Sequence, residues 1–526
     1  MQRKPPERHR LVVWLPGQLV ARHALEHPPG RTRFLFQLPD QRIRNRHDVL
    51  LLGRSSHTLG QGPDLTRIAS PCQDQVSRRL CYARRTHAAR RASGCGLQTL
   101  VLTFVSALLA AGSAAAQQWP QWRGPNGLGI SVETGVPTSW SSDDGIAWRA
   151  PLEGLGTSTP VVWGDRIFLT SQIGSGPIDE RGAQFPGTRR AASRGPDDGV
   201  TLVVQAFRRG DGRIEWEHRL PADGRIPAVH RNHNLATPSV VTDGERLFAW
   251  FGNGQVVALG LEGRELWSRH IGQEYAPFDV LWGHGSSPQL YEDLVILQCD
   301  HPEAAYLLAL DSATGEERWL VDRDPLLRAY STPLVVPAAD GDQLIVNSSR
   351  WIDAYDPKTG AERWRAGTTV DLATAMPVYA DGVLYTTTGY SSGPYLSVDV
   401  GGSGDVNATH VRWRRATGAP YVSSLLLYRR LLYMATENGI LTVTDPATGE
   451  SVSRTRLNGV YTASPVAADG HIYLLNEDGE TVVLEAGPDA RIVSRNPLGE
   501  RALASPAIAH GRFYIRTDQH LWASGP

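Results

Sequence analysis

Short apolar runs occur in pairs along residues 158–517, and a tight turn separates the two runs of each pair. Most pairs begin at Ser or Ala, followed by Ser or Thr and then Pro. The eight starts fall at residues 158, 236, 286, 331, 374, 423, 463 and 504. Turns such as Asp381-Gly382 and Asp469-Gly470 suit a two-residue hairpin. Each pair therefore predicts the first two strands of one repeating unit.

A third apolar run and a polar run that ends in tryptophan complete the unit, as in 304-AAYLLALDSATGEERW-319. Starts are 45 residues apart between 286 and 331, and 41 apart between 464 and 505. Four strands in a period of about 40–45 residues are typical of a β-propeller. We predict an all-β fold, an eight-bladed propeller with four-stranded antiparallel blades.

The last unit holds only three predicted strands before the chain ends. The stretch 146-IAWRAPLEG-154 precedes the first unit and resembles a fourth strand, because Trp148 matches the tryptophan that ends the other units. Closing the ring with this strand removes an exposed sheet edge. We predict that the N-terminal strand completes the last blade.

The polar turn 308-LALDSATGEERW-319 returns as 353-DAYDPKTGAERW-364. Its aspartate can accept hydrogen bonds from its own turn, its glycine can supply the left-handed residue that closes the turn, and its tryptophan can wedge between neighbouring sheets. We assign structural roles to Asp311, Gly315, Trp319, Asp356, Gly360, Trp364, Trp216, Trp267 and Trp148.

These units resemble the pyrroloquinoline-quinone (PQQ)-type repeat, whose signature is A-x-D-x-x-T-G-E-x-x-W. Residues 309–319 match all six positions, and residues 354–364 differ only in Ala361. Over residues 146–526 the chain looks like exported PQQ-like propellers similar to BamB, the lipoprotein of the outer-membrane β-barrel assembly machinery. The resemblance implies the propeller fold and protein partners. It also rests on 119-WPQWRGPNGLG-129, 283-GHGSSP-288, 401-GGSGDV-406 and 476-NEDGETVV-483.

The charge of the chain changes sign along its length. Residues 1–96 carry 18 Arg and Lys against 6 Asp and Glu, whereas residues 117–526 carry 35 against 48. The uncharged run 97–116 follows two arginines and ends in small residues, the pattern of a secretory signal peptide. Its apolar core is short for a membrane span, and an uncleaved anchor is the alternative. We predict cleavage near Ala116 and a periplasmic or secreted protein.

A signal peptide belongs at the start of a chain, so we predict that residues 1–96 are a non-native or disordered extension. A basic arm that contacts nucleic acid or anionic lipid is the alternative. Residues 117–145 predict an irregular segment before the single propeller domain at 146–526. Cys299 is the one cysteine of that part, and none directly follows the apolar core to carry a lipid. We expect a monomer without stable membrane insertion.

First strands line the central channel of a propeller, so residues just before them lie at one mouth of that channel. The stretches 229-VHRNHNLATP-238 and 282-WGHGSS-287 precede two of these strands. We predict a binding site at this mouth, with Asp405 of the Gly-rich insert 401–410 as a further candidate. The residues proposed for the mouth are His230, Asn232, His233, His284, Tyr330 and Tyr421.

Each of these features has a structural alternative. His230 and His233 have the spacing of a metal pair but no obvious third ligand, and loop histidines commonly bond backbone or water. The stretch 401–406 has the composition of a phosphate loop, yet neither a helix nor GK[ST] follows it, which favours a turn. The insert 174–199 predicts an exposed loop, compatible with function or with disorder.

Two classes of function remain open from the sequence. The first is a non-catalytic binding or scaffold module for protein, peptide or glycan partners. The acidic balance of residues 117–526 argues against nucleic acid. The resemblance to quinoproteins implies instead an oxidoreductase with PQQ and Ca²⁺ in the channel, an Asp base and often a vicinal cysteine pair. The chain has no such pair and no evident set of calcium ligands. We therefore predict no cofactor and keep this enzyme, or another at the channel mouth, as the alternative.

Overall fold

The computed structural model describes residues 118–174, 176, 199–230, 232–278, 280, 282–301, 304–324, 327–367, 372–387, 389 and 393–525. The predicted extension, the signal peptide and most of the 174–199 insert lie outside these residues. The helix α1 is a single turn, Ile271–Glu274. Within the described part, no helix has both the length and the apolar character needed to cross a bilayer.

Eight four-stranded antiparallel sheets form the blades of a β-propeller, which confirms the predicted fold. The first strand in the chain, β1 at Ile146–Pro151, belongs to blade 8. Blades 1 to 4 comprise β2 Val161–Trp163, β3 Arg166–Ile173, β4 Thr201–Arg208 and β5 Ile214–Pro221; β6 Val241–Thr242, β7 Arg246–Trp250, β8 Gln255–Gly260 and β9 Glu265–His270; β10 Gln289–Tyr291, β11 Leu294–His301, β12 Ala304–Asp311 and β13 Glu317–Asp322; and β14 Leu334–Val336, β15 Gln343–Asn347, β16 Trp351–Tyr355 and β17 Glu362–Gly367.

The remaining blades follow the same order from the channel outward. Blades 5 to 8 comprise β18 Val378–Ala380, β19 Val383–Thr387, β20 Tyr395–Asp399 and, after the short β21 Gly404–Asp405, β22 Val411–Arg415; β23 Leu426–Tyr428, β24 Leu431–Ala435, β25 Ile440–Thr444 and β26 Ser451–Arg456; β27 Val466–Ala468, β28 His471–Leu475, β29 Glu480–Glu485 and β30 Ile492–Pro497; and β31 Ala507–Ala509, β32 Arg512–Arg516 and β33 His520–Ser524.

Strand β1 closes the ring. It pairs antiparallel with β33, so that Trp148 lies opposite Ala523 and Pro151 opposite His520. Blade 8 therefore has the order β1-β33-β32-β31, as predicted from the missing fourth strand. The fourth strand of this blade is β1, from the N-terminal side of the propeller. The ring is therefore closed by pairing between the two ends of the propeller domain.

The core lies between the blades. The second strand β11 is buried at all eight positions, because neighbouring blades cover both of its faces. The outer strand β26 alternates between exposed and half-buried residues, because solvent reaches one of its faces. Continuous apolar runs thus mark inner strands and mixed runs mark outer strands, which is the pattern seen in the sequence.

The tryptophan of each regular blade packs on the polar turn of the next. The Trp267 ring lies against Gly315, whose φ of +74° an L side chain rarely adopts and whose added Cβ would approach the ring to 2.7 Å. Asp311 Oδ1 accepts the N–H groups of Ala313 and Thr314 at 2.9 Å, which holds the turn. Trp267 Nε1 donates to Ser312 O at 3.0 Å. The repeated polar turn, as at 308–319, therefore joins neighbouring blades.

The same contact recurs around the ring, with the indole nitrogen bonded to a carbonyl of the next blade's turn. The pairs are Trp148 with Gly212, Trp216 with Gly263, Trp319 with Gly360 and Trp413 with Gly449. Asp356 holds the turn of blade 4 as Asp311 holds that of blade 3. These positions build the scaffold that fixes the channel.

Trp364 is the exception, because the Gly-rich insert of blade 5 takes the place of that turn. The insert contributes β21, which adds a fifth strand to blade 4 by parallel pairing with β17. Trp364 is fully buried and donates through Nε1 to Gln343 Oε1 at 2.8 Å, within its own blade. The insert of blade 5 thus connects the outer edges of blades 4 and 5 through the pairing of β21 with β17.

Candidate functional site

A row of hydroxyl groups links the blades at the wall of the central channel. The backbone N–H of the residue two positions before a first strand donates to the side-chain oxygen at the same place in the next blade. The pairs are Thr159 to Ser239 (2.9 Å), Ser239 to Ser287 (3.0 Å), Ser287 to Thr332 (2.9 Å), Met376 to Ser424 (3.0 Å), Ser424 to Ser464 (3.0 Å) and Ser464 to Ser505 (2.9 Å).

This row explains the Ser/Thr-Pro signature of the sequence and refines its alignment. In blade 2 the linking hydroxyl belongs to Ser239, two residues after the Thr237 that precedes proline. Blade 5 carries Met376 at the equivalent place, where no hydroxyl is present to accept the N–H of blade 4. Strand register, and not the proline, therefore defines equivalent positions.

The N-terminal segment, residues 118–135, binds the end of the channel that lies opposite the mouth, where the hairpin turns join the first and second strands of the blades. Trp119 exchanges two backbone hydrogen bonds of 2.9 Å with Val162 of blade 1, and Pro120 O accepts the N–H of Thr242 of blade 2. Trp119 itself is fully buried. The segment starts its path across the ring at these first strands.

The same segment reaches the opposite side of the ring. Arg123 Nη2 donates to Leu425 O of blade 6 at 2.8 Å. The N–H of Ser131 donates to Ala467 O of blade 7 at 2.8 Å. Glu133 accepts the N–H of Gly511, in the hairpin turn of blade 8, at 2.6 Å. The N-terminal segment therefore lies across this end of the channel and closes it.

A cavity of about 380 Å³ occupies the rest of the channel. Trp122 of the N-terminal segment lines it from the closed end, and residues just before the first strands line its wall. Every blade contributes, through Thr157, Thr237, Gly285, Tyr330, Thr374, Tyr421, Thr462 and Leu503. The cavity thus extends from the N-terminal segment to the mouth formed by the residues before the first strands.

His230, Asn232 and His233 lie together in this wall, where the sequence predicts a site. His230 packs edge-on against Trp282 with 5.0 Å between ring centroids, and its Nδ1 accepts the N–H of Asn232 at 3.3 Å. The His233 ring contacts the Thr237 hydroxyl at 3.3 Å. Asn232 Oδ1 is buried and has no hydrogen-bond partner among the described residues. This side of the cavity offers rings and one free acceptor.

Tyr330 and Tyr421, also predicted for the mouth, line the same cavity. The loop that carries Tyr421 is held by Glu437, whose Oε1 accepts the N–H groups of Tyr421 and Val422, both at 2.7 Å. Burial raises the pKa of Glu437, and these backbone donors oppose part of that shift. Glu437 lines the cavity as well.

Glu437 belongs to a row of three acidic residues in blades 6, 7 and 8. Glu437, Glu477 and Asp518 each stand 13 residues after the linking serine of their blade, in the turn between its second and third strands. Glu477 N–H donates to Val460 O, and Asp518 N–H donates to Arg501 O in the equivalent geometry. The repeat therefore places one acidic side chain in this turn of each of blades 6, 7 and 8.

Glu477 is the least satisfied of the three. Its side chain lines the cavity, only 3% of the residue is exposed, and Oε2 has no hydrogen-bond partner in the described part. Burial raises its pKa, and the nearby Arg501 guanidinium opposes this. Arg501 itself bonds Asp518, with Nη1 3.2 Å from Oδ2. The Thr462 hydroxyl lies beside Glu477 and, as a hydrogen-bond donor, also opposes the rise of its pKa.

His284 lies behind the wall of the cavity, not at the mouth for which it was predicted. The residue is 3% exposed, and its ring packs on Trp250 and Phe278 with centroids 4.0 and 5.1 Å away. Burial lowers its pKa to about 3. The ring is therefore neutral at physiological pH and serves as part of the aromatic core, while its neighbour Gly285 lines the cavity.

Asp405 also lies outside the cavity. It is exposed in β21 at the outer edge of blade 4, and its Oδ1 accepts the backbone and side-chain N–H groups of Asn407 at 2.9 and 2.8 Å. These bonds lower its pKa. Asn407 in turn accepts the N–H of Gly367 at 3.0 Å. Asp405 thus shapes the insert that joins two blades.

Sequence reasoning missed Trp122, Glu437 and Glu477. The two glutamates could have been found by aligning the turns 436-TENG-439 and 476-NEDG-479 on the linking serines. Trp122 carries no such signal, because its segment has no repeat. Across the described residues, no group of three His, Cys, Asp or Glu side chains is placed to hold a metal ion.

Comparison with known proteins places these observations in a family. The family model described as outer membrane protein assembly factor BamB matches residues 130–276, 200–455 and 437–524, which together cover most of the described part. No curated protein matches the chain.

Several solved structures share the fold. Quinohemoprotein alcohol dehydrogenase from Comamonas testosteroni is 12% identical, with a TM-score of 0.57 over 79% of this chain and 82% of that one. Quinohemoprotein alcohol dehydrogenase ADHIIG from Pseudomonas putida HK5 is 13% identical, with a TM-score of 0.52 over 79% and 81%. BamB from Moraxella catarrhalis is 16% identical, with a TM-score of 0.46 over 62% and 94%. At these identities the first two matches establish the propeller fold alone.

Proposed function

The chain belongs to the outer membrane protein assembly factor BamB family, and on this premise we propose that it is a non-catalytic binding module of the cell envelope. The observation that carries the proposal is the central cavity, closed at one end by the N-terminal segment and open at a mouth built from side chains of several blades. Its volume suits part of a partner and not a folded domain.

The chemistry of the mouth supports a polar protein or peptide partner. Tyrosine and tryptophan, which line the cavity through Tyr421, Trp282 and, at the closed end, Trp122, are among the residues enriched at protein-binding hot spots. Glu477 and Asn232 retain buried oxygens without partners among the described residues, and such atoms are satisfied when a ligand donates hydrogen bonds to them. A glycan partner would use the same groups and is separated by the test below.

Site-specific photo-crosslinking tests this function. A photo-crosslinking residue replaces Val422, which lines the cavity and is 37% exposed, and in a control replaces Val452, which is 48% exposed on the outer strand of blade 6. We expect a discrete, protease-sensitive adduct in intact cells at position 422 and none at 452. Equal labelling at both positions, or none at 422, would overturn a role for the mouth. A periodate-sensitive, protease-resistant adduct would replace the protein partner by a glycan.

We also propose that the protein works in the periplasm or outside the cell after export. The family description refers to the outer membrane, and the predicted signal sequence at 97–116 with cleavage near Ala116 provides the route. N-terminal sequencing of the exported protein is expected to begin at Gln117. A mature protein that retains residues 1–96 would exclude this route.

An oxidoreductase that uses PQQ and Ca²⁺ is the alternative function. The described residues do not fit such a site, because Ca²⁺ requires several converging oxygen ligands and no group of three acidic, His or Cys side chains converges. We assign no residue to it and derive no step through it. Titration of the purified protein with PQQ and Ca²⁺, followed by thermal stability, is expected to show no saturable shift; a saturable rise in melting temperature would favour this alternative.

A further inference from the structure

Two acceptor oxygens in the cavity wall are left unsatisfied. Glu477 Oε2 and Asn232 Oδ1 are buried and lack a hydrogen-bond partner among the described residues, and the Thr462 hydroxyl lies beside Glu477. A carboxylate oxygen and an amide oxygen cannot donate, and a hydroxyl can accept. A bound group that satisfies them must therefore bring hydrogen-bond donors.

The charge of the cavity favours a cationic donor. Glu437 and Glu477 both line it, whereas no Lys or Arg occurs among its described lining residues. Arg501 is the cation whose charge acts on Glu477; its Nη1 is bonded to Asp518, while its Nε and Nη2 have no partner among the described residues. One guanidinium thus stands against three carboxylates, so an anionic ligand would be repelled and a cation attracted.

Aromatic rings complete the cavity. Trp122 lies at the closed end, and Trp282, Tyr330 and Tyr421 lie in the wall. The faces of tryptophan and tyrosine rings attract ammonium and guanidinium groups, by about 0.5–2 kcal/mol for each contact. Carboxylates together with such rings form a pocket that solvates a cation without water.

We infer that the cavity binds a primary ammonium group, carried by a lysine side chain of the partner peptide, with Glu477 as its main acceptor. An ammonium is compact and has three donors and no acceptor, which suits the unsatisfied carboxylate oxygen of Glu477. A lysine side chain is also long enough to enter from the mouth while its backbone stays outside. This inference rests on the proposed function, because it specifies what the cavity receives.

Glu437 has a different part in this site. Its Oε1 is occupied by the N–H groups of Tyr421 and Val422, so it positions the loop that carries one of the rings. Glu477 occupies the equivalent place in the next blade without such donors. The repeat has thus freed one carboxylate for a ligand and used its neighbour for structure.

Calorimetric titration of the full chain tests the inference. The probes are a lysine-containing tripeptide with blocked ends, the same tripeptide acetylated on the side-chain nitrogen, and spermidine as a free polyamine. We expect the lysine peptide to bind and acetylation to weaken binding at least tenfold, since acetylation removes the charge. Equal affinity for both peptides would overturn the inference. Tighter binding of spermidine than of the peptide would overturn the peptide source while keeping the amine.

Glu477→Gln provides the matched variant, because glutamine keeps the shape and removes the charge. We expect it to weaken lysine-peptide binding about tenfold or more, as loss of a hydrogen bond to a charged group does. Glu485→Gln is the control, because Glu485 is exposed and paired with Arg491 away from the cavity. An unchanged affinity in Glu477→Gln, or the same loss in Glu485→Gln, would contradict the assignment.

The two proposals fail separately. An adduct at position 422 without amine binding would keep the partner and remove the lysine. Amine binding without an adduct at position 422 would leave an amine site and remove the partner protein. A peptide of glutamate residues that binds more tightly than the lysine peptide would overturn the inferred charge of the site.

Discussion

The two ends of the central channel are held by different parts of the chain. At the closed end, backbone groups pair with backbone groups, as between Trp119 and Val162 and between Ser131 and Ala467, and the side chains of Arg123 and Glu133 add bonds to blades 6 and 8. At the open end, side chains accept the loop N–H groups: Glu437 binds the Tyr421 loop, and Gln172 Oε1 accepts the N–H of Leu235 at 2.7 Å.

The difference between the two ends indicates which hydrogen bonds depend on residue identity and which do not. Backbone pairing is available to almost any sequence that reaches the same place, so the backbone pairs of the closed end depend mainly on packing and chain path. Side-chain acceptors exist only where a particular residue stands, so substitution, protonation or a ligand can alter the open end. Function is therefore expected at the end that depends on residue identity.

The largest expected effect comes from removing the buried tryptophan of the closed end. Trp119→Ala deletes a fully buried side chain and is expected to lower the free energy of unfolding by about 3–5 kcal/mol. Trp122→Ala should cost less, because that ring faces the cavity. Urea unfolding of both variants measures the difference, and equal losses would mean that the two ends pack alike.

A glycine in each region gives the next contrast. At Gly129 (φ +77°) an added Cβ would lie 2.9 Å from Pro465 O, whereas at Gly285 its nearest neighbour would lie at 3.7 Å. Gly129→Ala is expected to cost about 1–3 kcal/mol through strain and overlap, and Gly285→Ala less than about 0.5 kcal/mol. Thermal unfolding of the two variants decides this; a cost at Gly285 as large as at Gly129 would contradict the contrast.

A smaller effect is expected at the loop that Glu437 holds. Glu437→Ala removes the acceptor of two N–H groups and should cost about 1–2 kcal/mol, because water replaces it in part. Hydrogen exchange of a peptide that spans residues 419–425 is expected to accelerate, while one that spans 129–135 stays unchanged. Unaltered exchange at 419–425 would show that other contacts hold this loop.

The smallest expected effect has the opposite sign. Burial raises the pKa of Glu477 above its unfolded value, so this group stabilises the folded protein at low pH. That contribution is lost as the pH rises through the folded pKa. Glu477→Gln, which cannot titrate, is therefore expected to gain stability relative to the parent when the pH is raised from 4 to 7.5.

Urea midpoints of the parent and the variant at both pH values measure this gain. Asp518 and Arg501, the charged neighbours of Glu477, remain in both proteins. A constant difference across the range would mean that Glu477 does not titrate there.

The fold was predictable because one pattern recurs eight times. A weak signal in one unit, such as the decayed turn at 442–453, is supported by stronger copies at 308–319 and 353–364. Counting strands then located β1 in blade 8 although its partner β33 lies at the other end of the chain. A repeat carries this information because each unit must bury the same faces against its neighbours.

The site was less predictable, because its members are defined by contacts between units. His284 has the composition and place of a mouth residue, and only packing on Trp250 and Phe278 takes it into the core. Asp405 belongs to an insert whose partner strand lies in another blade. Trp122 reaches the cavity from a segment without a repeat. Local sequence does not encode such distant contacts.

Closure by both the first strand and the N-terminal segment sets an order of assembly. Glu133 binds the backbone of Gly511, 378 residues further along the chain. Strand β1 can pair with β33 only after β33 has been synthesised. At about 5–20 residues per second, ribosomes need tens of seconds to make the missing partner. During that time blades 1 to 7 can form, while β1 and Glu133 still lack their partners in blade 8. The strand that completes the ring, β1, is therefore the first strand of the ring to be synthesised.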